Sequence, residues 1–348
     1  MKPKHKLNVA YASNDSFAMQ TGISLLSLLA NNGDLDVCAY ILANGISDEN
    51  KKRLEGIAKG NAELRFIDVS AFLNEKIKAR GIASYANSFD TYSRIWITEL
   101  LPENVQTVLY IDGDTIVSGN LTEFAQIDMQ AYSCAMAKDI RTEKYKKKIN
   151  LESIYEFYNA GVLLINLDFW RQHNTGNALL NDILNFPTIY PDNNALNRVL
   201  KGTIRTLPLI YNATPLIRLY NNKSIYAIAF RSNAPFCPEQ ELNDARENPA
   251  ILHYTNYYLS GRPWFKDCFD KKGLHVWRKY LADSPWATSF SPRNQHRPLK
   301  SACMKFLRIL YRVLPEGMFV AIVVKMFEKV ARPLFGIDNR LRVTPPYI

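Results

Sequence analysis

Apolar runs of strand length alternate with helical stretches along the first third of the chain, and that alternation most restricts how it can fold. Leu7 to Ala12, Val37 to Leu42 and Ala62 to Val69 read as strands. Between the first two, Ile23, Leu26 and Ala30 recur at helical spacing. Between the second and third, Ser47 suits the N-cap of a helix that turns Leu54 and Ile57 inward and ends at Gly60. After a polar segment, Tyr92 to Leu101 reads as a helix stopped by Pro102, and Val108 to Ile111 is the next strand. Such alternation builds a mostly parallel, Rossmann-like α/β sheet with right-handed crossovers. No Gly-x-Gly-x-x-Gly follows the first strand and no Walker A sequence is present, which argues against a dinucleotide enzyme or a P-loop NTPase.

The strand at Val108 runs straight into Asp112-Gly113-Asp114-Thr115. Ligands of open α/β sheets bind beyond the carboxyl ends of the strands, so these two acids are the first place to look for chemistry. Side chains two apart in extended chain point the same way, which lets both carboxylates converge on one ion, while Gly113 admits a ligand close to the backbone. Hard oxygen ligands of this kind suit Mg²⁺ or Mn²⁺ bridging phosphates. Two other readings stand beside this one. The acids can be solvated members of a turn, or Asp112-Gly113-Asp114-Thr115 can be the nucleophile motif of a haloacid-dehalogenase phosphatase. That motif normally opens its domain, whereas three strand-helix units come first here and no downstream Asp-Asp pair follows.

Farther along, Tyr132 to Ala137 reads as a strand, and Arg141 to Lys148 as a solvated loop. Phe157 to Leu167 holds a core strand whose entry, Asn159-Ala160-Gly161, pairs an amide with two small residues. Tyr190-Pro191-Asp192-Asn193-Asn194 precedes a helical stretch, Ala195 to Leu200, and an Asp/Asn cluster there can simply cap the helix. Ile251 to Thr255 reads as a strand carrying His253, with Gly261-Arg262-Pro263-Trp264 beyond it.

In order and spacing, Ala10-Tyr11-Ala12-Ser13-Asn14, Tyr92-Ser93-Arg94, Leu109 to Asp114, Tyr158 to Val162, Tyr190-Pro191-Asp192 with Leu196-Asn197, and His253-Tyr254-Thr255 before Arg262-Pro263-Trp264 resemble the family 8 glycosyltransferases. The resemblance covers about Leu7 to Trp286 and is strongest to the bacterial enzymes that build lipopolysaccharide core. It implies a GT-A fold and retaining transfer of glucose or galactose from a UDP-sugar to a lipopolysaccharide or lipooligosaccharide acceptor. It places the uridine against Ala12, Asn14 and Ser16. It makes Asp112, Asp114 and His253 the ligands of a Mn²⁺, with Mg²⁺ as the alternative, and a mixed oxygen and nitrogen set favours Mn²⁺. Arg94 and Arg262 would face the diphosphate or the sugar, with Gly113 and Asn256 beside the diphosphate, and Asn159, Ala160 and Asp192 would meet the donor sugar. Asp114, Asp192 and Asn193 carry the catalytic expectation. The chain departs from the family pattern at Asn193, which replaces a Gln beneath the sugar, at Asn194 and Asn14, which replace Asp, and at Asn256, which takes a glycine position in a longer link. Those departures motivate a further alternative, a non-catalytic protein that binds nucleotide sugars or lipid surfaces.

Charge divides the chain. The formal net charge is +10, but Arg293 to Arg342 holds 11 Lys/Arg against 3 Asp/Glu, a net of +8. The division expected is a catalytic domain over 1–285 and a basic, helical appendage over 286–348. In the appendage Lys305, Arg308 and Arg312 share one helical face, and Phe306, Leu307, Leu310, Val313 and Leu314 the other. A basic amphipathic helix suits an anionic membrane surface, and because the basicity belongs to the tail and not the body, a nucleic-acid-binding body is not expected. Five widely spaced cysteines without a Cys-x-x-Cys pair, no signal-peptide core and no run of membrane-spanning length lead to the expectation of a cytoplasmic protein, peripheral on the inner face of the bacterial membrane.

Overall fold

The computed structural model describes residues 5–58, 62–84, 88–141, 143–188, 190–219, 236–255 and 261–294, with six more at 306, 309, 310, 313, 314 and 318. Its strands are β1 (His5–Asn14), β2 (Leu35–Asn44), β3 (Ala62–Asp68), β4 (Thr107–Ile111), β5 (Thr115–Val117), β6 (Cys134–Lys138), β7 (Tyr158–Asn166), β8 (Ile204–Leu207) and β9 (Ile251–His253). Seven of them form one sheet in the order β3-β2-β1-β4-β7-β6-β8, and β5 and β9 form a second, two-stranded one. β1 lies parallel to β2 and β4, and only β7 runs against its neighbours, β4 and β6. This is the expected GT-A type α/β architecture.

The apolar runs are continuous because the central sheet is covered on both faces. Successive side chains supply opposite cores: Val9, Tyr11, Leu109 and Ile111 pack on one side, and Ala10, Val108 and Tyr110 on the other. Each fully buried aliphatic or aromatic side chain of this kind contributes about 1.5–3 kcal/mol. The short β5 was not foreseen, and it positions the site. Thr115 of β5 is in register with His253 of β9, and the Tyr254 amide donates to the Asp114 carbonyl at 2.8 Å. Two segments more than 130 residues apart in sequence are thus held side by side.

Several local expectations change. The first helix (Ala18–Asn31) buries Ile23, Leu25 and Leu28 as well as Thr21, Ser24 and Ser27, while Leu26 is half-buried and Ala30 exposed. The serines are inside because they have partners: Ser24 Oγ lies 2.7 Å from Thr115 Oγ1, and the Val117 amide donates to Ser27 Oγ at 2.9 Å. The helix therefore presents hydroxyls to β5, each paired hydroxyl offsetting its loss of water. Ser47 caps its helix as expected, accepting from the Asn50 amide at 3.3 Å, but that helix (Asp48–Glu55) ends before Gly56, and Gly60 lies outside the described residues. Tyr92 to Leu101 is a 3-10 segment (Asp90–Trp96) followed by one short helical turn (Ile97–Leu100). The expected loop at Arg141 to Lys148 contains a helix (Glu143–Lys148), and Lys146 is buried there, donating to the Ser153 and Tyr155 carbonyls at 3.1 and 2.9 Å and pairing with Glu143.

Packed chain also continues past residue 285. Trp286 is buried, its ring lies against Gly22, and its indole N–H donates to Asn50 Oδ1 at 3.1 Å. Arg293 then exchanges backbone hydrogen bonds with Trp264 and Lys266. No helix among the described residues is long and apolar enough to cross a membrane.

Candidate active site

β4 ends at Ile111, and Asp112 and Asp114 follow on the turn into β5. The turn is locked by Thr115, whose hydroxyl donates to the Asp112 carbonyl at 2.9 Å. A Cβ on Gly113 would sit 2.5 Å from Thr21 Oγ1 of the first helix and 3.1 Å from the Phe17 ring, so the turn packs closely on that segment. One ligand atom each from Asp112, Asp114 and His253 lies within 4.8 Å of the others. His253 Nε2 is 3.3 Å from Asp114 Oδ1 and 3.8 Å from Asp112 Oδ2. Gly161 admits the imidazole, since a Cβ on Gly161 would lie 2.0 Å from its Cε1.

Arg94 and Arg262 balance the two acids. Arg94 donates to Asp112 Oδ1 at 2.7 Å and stacks on Tyr110 with its guanidinium carbon 4.5 Å from the ring centre. It also donates to the Thr91 carbonyl at 3.1 Å and to the Ala160 carbonyl, and its Nε is 3.4 Å from Asp192 Oδ2. Arg262 pairs with Asp114 Oδ2 at 2.8 Å. Burial pushes the Asp112 carboxyl up, against the pull of Arg94 and with a further push from Asp114. Asp114 goes the other way: burial opposes its charge, but Arg262 and His253 outweigh burial and bring it down to about 2. Two neighbouring carboxylates are thus driven apart by their different partners.

The donor set fits a divalent cation. Two carboxylates and one imidazole converge, and Asp112 keeps 28% of its side chain exposed, which leaves room for outside oxygen ligands. His253 Nδ1 is 2.9 Å from Asn212 Oδ1, an oxygen that only accepts, so Nδ1 is the donor and Nε2 is the nitrogen that faces the carboxylates.

The other expected residues surround this centre. Asp192 accepts from the Thr91 hydroxyl at 2.6 Å beside Arg94. Asn159 is buried in the fold: its oxygen accepts from the Gly161 amide at 2.9 Å and from Asn212 at 3.0 Å. Asn193 does not present a free carbonyl. Its Oδ1 accepts from the Ala160 amide at 2.7 Å and its Nδ2 reaches the Tyr158 carbonyl at 3.3 Å, so the amide clips the entry of β7. Its side chain is one methylene shorter than the expected Gln, and the nearest groups within reach are backbone. Asn194 is fully buried between Tyr145 and Thr188. At the end of β1, Ala12 is half-buried, Ser16 is exposed, and Asn14 donates to Asp90 Oδ2 at 2.5 Å while Asn44 of β2 donates to Asp90 Oδ1 at 2.7 Å. Asn256 lies outside the described residues.

Sequence reasoning missed Asp90, Thr91 and Asn212. Asp90 and Thr91 are consecutive, and they tie Asn14 at one end of the site to Asp192 and Arg94 at the other. Their signal was faint: a polar pair just before Tyr92-Ser93-Arg94.

A sequence model of glycosyl transferase family 8 matches residues 8–268. The chain belongs to that family. Among curated relatives, lipopolysaccharide 1,2-glucosyltransferase of Escherichia coli K12 is 24% identical over 302 residues, covering 83% of this chain and 81% of its own. General stress protein A of Bacillus subtilis is 25% identical over 303 residues, covering 84% of this chain and 99% of its own. In structure the chain is similar to an active-site Gln-to-Glu mutant of LgtC, with a TM-score of 0.67, 25% identity, and coverage of 81% of this chain and 99% of that one. This family 8 member is therefore a glycosyltransferase related to the lipopolysaccharide glucosyl- and galactosyltransferases, and the phosphatase alternative has no support.

Proposed function

We propose that the chain is a Mn²⁺-dependent, retaining hexosyltransferase that moves glucose or galactose from a UDP-sugar to a lipopolysaccharide-type glycan. The observation that carries this reading is the meeting of Asp112, Asp114 and His253 with His253 Nε2 turned inward. When bound, a divalent cation would neutralise the donor diphosphate and act as a Lewis acid on the leaving nucleotide.

The chain's own groups do the rest. Arg94 stays buried and protonated, fixing Asp112 and Asp192 in one orientation, and Arg262 is the more exposed cation, available to a diphosphate when it leaves Asp114. Asp192 and the Ala160 backbone form the wall against which the donor sugar lies. The bond from the anomeric carbon to the phosphate oxygen breaks with its electron pair leaving on UDP. The acceptor oxygen then bonds to the same face of that carbon, and its proton passes to the departing phosphate. No strong protein base is needed, in keeping with the pairing of each carboxylate around the centre to a cation or a hydroxyl. Asn193 acts by holding β7 and not by offering its carbonyl to the sugar.

The relatives named for lipopolysaccharide glucosyl- and galactosyltransfer support the acceptor class and the hexose. We place the catalytic domain over residues up to 294, since Trp286 and Arg293 pack on it, and assign membrane association to the basic segment beyond. Phe306, Ile309 and Val313, three to four residues apart in sequence, are all exposed, as an apolar membrane-facing stripe would be. A panel of UDP-sugars with Mn²⁺, scored for hydrolysis and for transfer to core-truncated lipopolysaccharide, tests the reading. UDP-glucose or UDP-galactose should be turned over with retention. Turnover confined to another nucleotide sugar, or inversion at the anomeric carbon, would overturn it.

A further inference from the structure

We propose that Asn212 is a positioning residue that decides which nitrogen of His253 faces Asp112 and Asp114. This deepens the metal reading above and rests on it for its consequence. The assignment starts from a group that cannot be flipped, the backbone N–H of Gly161. It donates to Asn159 at 2.9 Å, which identifies the accepting atom of that amide as Oδ1. The same Oδ1 lies 3.0 Å from one end of the Asn212 amide, so that end must be the donor, Nδ2. Asn212 Oδ1 is then the atom 2.9 Å from His253 Nδ1, and an amide oxygen only accepts. Nδ1 therefore carries a proton, and the other ring nitrogen, Nε2, is the one that faces the carboxylates.

Among the described residues no other group bonds Nδ1 of the ring. Asn212 and His253 are buried, at 1% and 2% exposure, so water does not compete for Nδ1. Asn212 closes the 3-10 segment Leu209–Asn212, and Ala213 next to it bridges to β9, its N–H donating to Ile251 and its carbonyl accepting from His253. The backbone thus carries the Asn212 side chain to the back of the imidazole, while Gly161 leaves the slot in which the ring lies. A carbonyl or carboxylate acceptor behind a histidine is the arrangement that orients a metal-binding ring, and its loss costs about 10–100-fold in metal affinity. Through Asn159, the same chain of amides reaches the backbone of β7 beside Ala160.

The test uses full-length, metal-free protein labelled with ¹⁵N-histidine, with the His253→Gln variant identifying the resonances of interest among five histidines. Long-range ¹H–¹⁵N spectra at neutral pH should show wild-type His253 with a proton on Nδ1. Asn212→Asp keeps an acceptor in place and should preserve that proton. Asn212→Leu removes the acceptor at similar size and should move the proton to Nε2, where Asp114 accepts it. Calorimetric Mn²⁺ titration should then show affinity about 10–100-fold lower for Asn212→Leu and within about threefold of wild type for Asn212→Asp. Wild-type His253 found without a proton on Nδ1 overturns the proposal even if Asn212→Leu fails to fold. A folded Asn212→Leu protein that retains Nδ1–H and wild-type Mn²⁺ affinity overturns it as well. If the tautomers follow the prediction but no form binds Mn²⁺, the role of Asn212 stands and the metal reading falls.

Discussion

Replacing Arg94 with Met should destabilise the protein by about 3–4 kcal/mol at neutral pH. The side chain is 4% exposed, and it provides the cation beside both Asp112 at 2.7 Å and Asp192 at 3.4 Å. Breaking a buried ion pair by removing one partner typically costs about 3–5 kcal/mol, because a charge is left without compensation. Two adjustments act in opposite directions. The lost bonds to the Thr91 and Ala160 carbonyls each add about 1 kcal/mol, while Asp112, 28% exposed, recovers part of its loss from water. Methionine keeps the aliphatic volume over Tyr110, so the measurement reads charge and hydrogen bonding more than a cavity. The sign with pH follows. Burial already holds Asp112 above the ordinary carboxylate range, and without the pull of Arg94 it is pushed higher. The added penalty is complete above that raised value and fades as the pH falls through it. Urea unfolding of the metal-free protein at pH 7 and pH 5 should give a smaller gap between variant and wild type at pH 5. Arg94→Lys should fall between the two, since an ammonium cannot reproduce the planar fork. A loss under about 1 kcal/mol that does not change with pH would refute the argument that Arg94 is the counter-charge of the site.

Gly161→Ala places a methyl 2.0 Å from the His253 ring, so the imidazole must swing away. Overpacking should cost about 1–3 kcal/mol in thermal or urea unfolding, and Mn²⁺ affinity by calorimetry should fall by more than tenfold. Asp114, held near a pKa of about 2 against an ordinary 3.8, binds fewer protons folded than unfolded between those values. It therefore contributes about 2 kcal/mol above pH 4 in the metal-free protein, lost as the pH falls through about 2. Asp114→Asn should flatten that part of the acid-unfolding curve, and an unchanged slope would reject the assignment.

What could be read from sequence was local or motif-borne. β1 to β4 announce themselves as apolar runs, Ser47 caps its helix as its chemistry dictates, and the family resemblance pairs Asp112 and Asp114 with His253, which the fold brings together. What could not be read depends on contacts between distant segments. β5 is three residues long and exists because β9 pairs with it and Ser24 and Ser27 bond to it. The inward face of the first helix was misread for the same reason, since a serine is legible as a core residue only once its partner strand is known. Lys146 looks solvated in the run Lys146-Lys147-Lys148, yet two backbone carbonyls and Glu143 bring it inside. Asn193 carries the motif position of a catalytic amide, and its bonds to the Ala160 amide and the Tyr158 carbonyl depend on β7, far away in sequence. Asn212 belongs to no motif at all, and it stands directly behind a ligand candidate.

The central claim is that Asp112, Asp114 and His253 together hold a divalent cation on which donor turnover depends. Titrating Mn²⁺ into chelator-treated wild-type and Asp114→Ala protein, and following UDP-hexose hydrolysis in the same samples, tests it most directly. The account predicts one Mn²⁺ per wild-type chain with hydrolysis that rises as the site fills, and neither property in a folded Asp114→Ala protein. Undiminished Mn²⁺ binding by the variant, or hydrolysis that proceeds at full rate without metal, would contradict it.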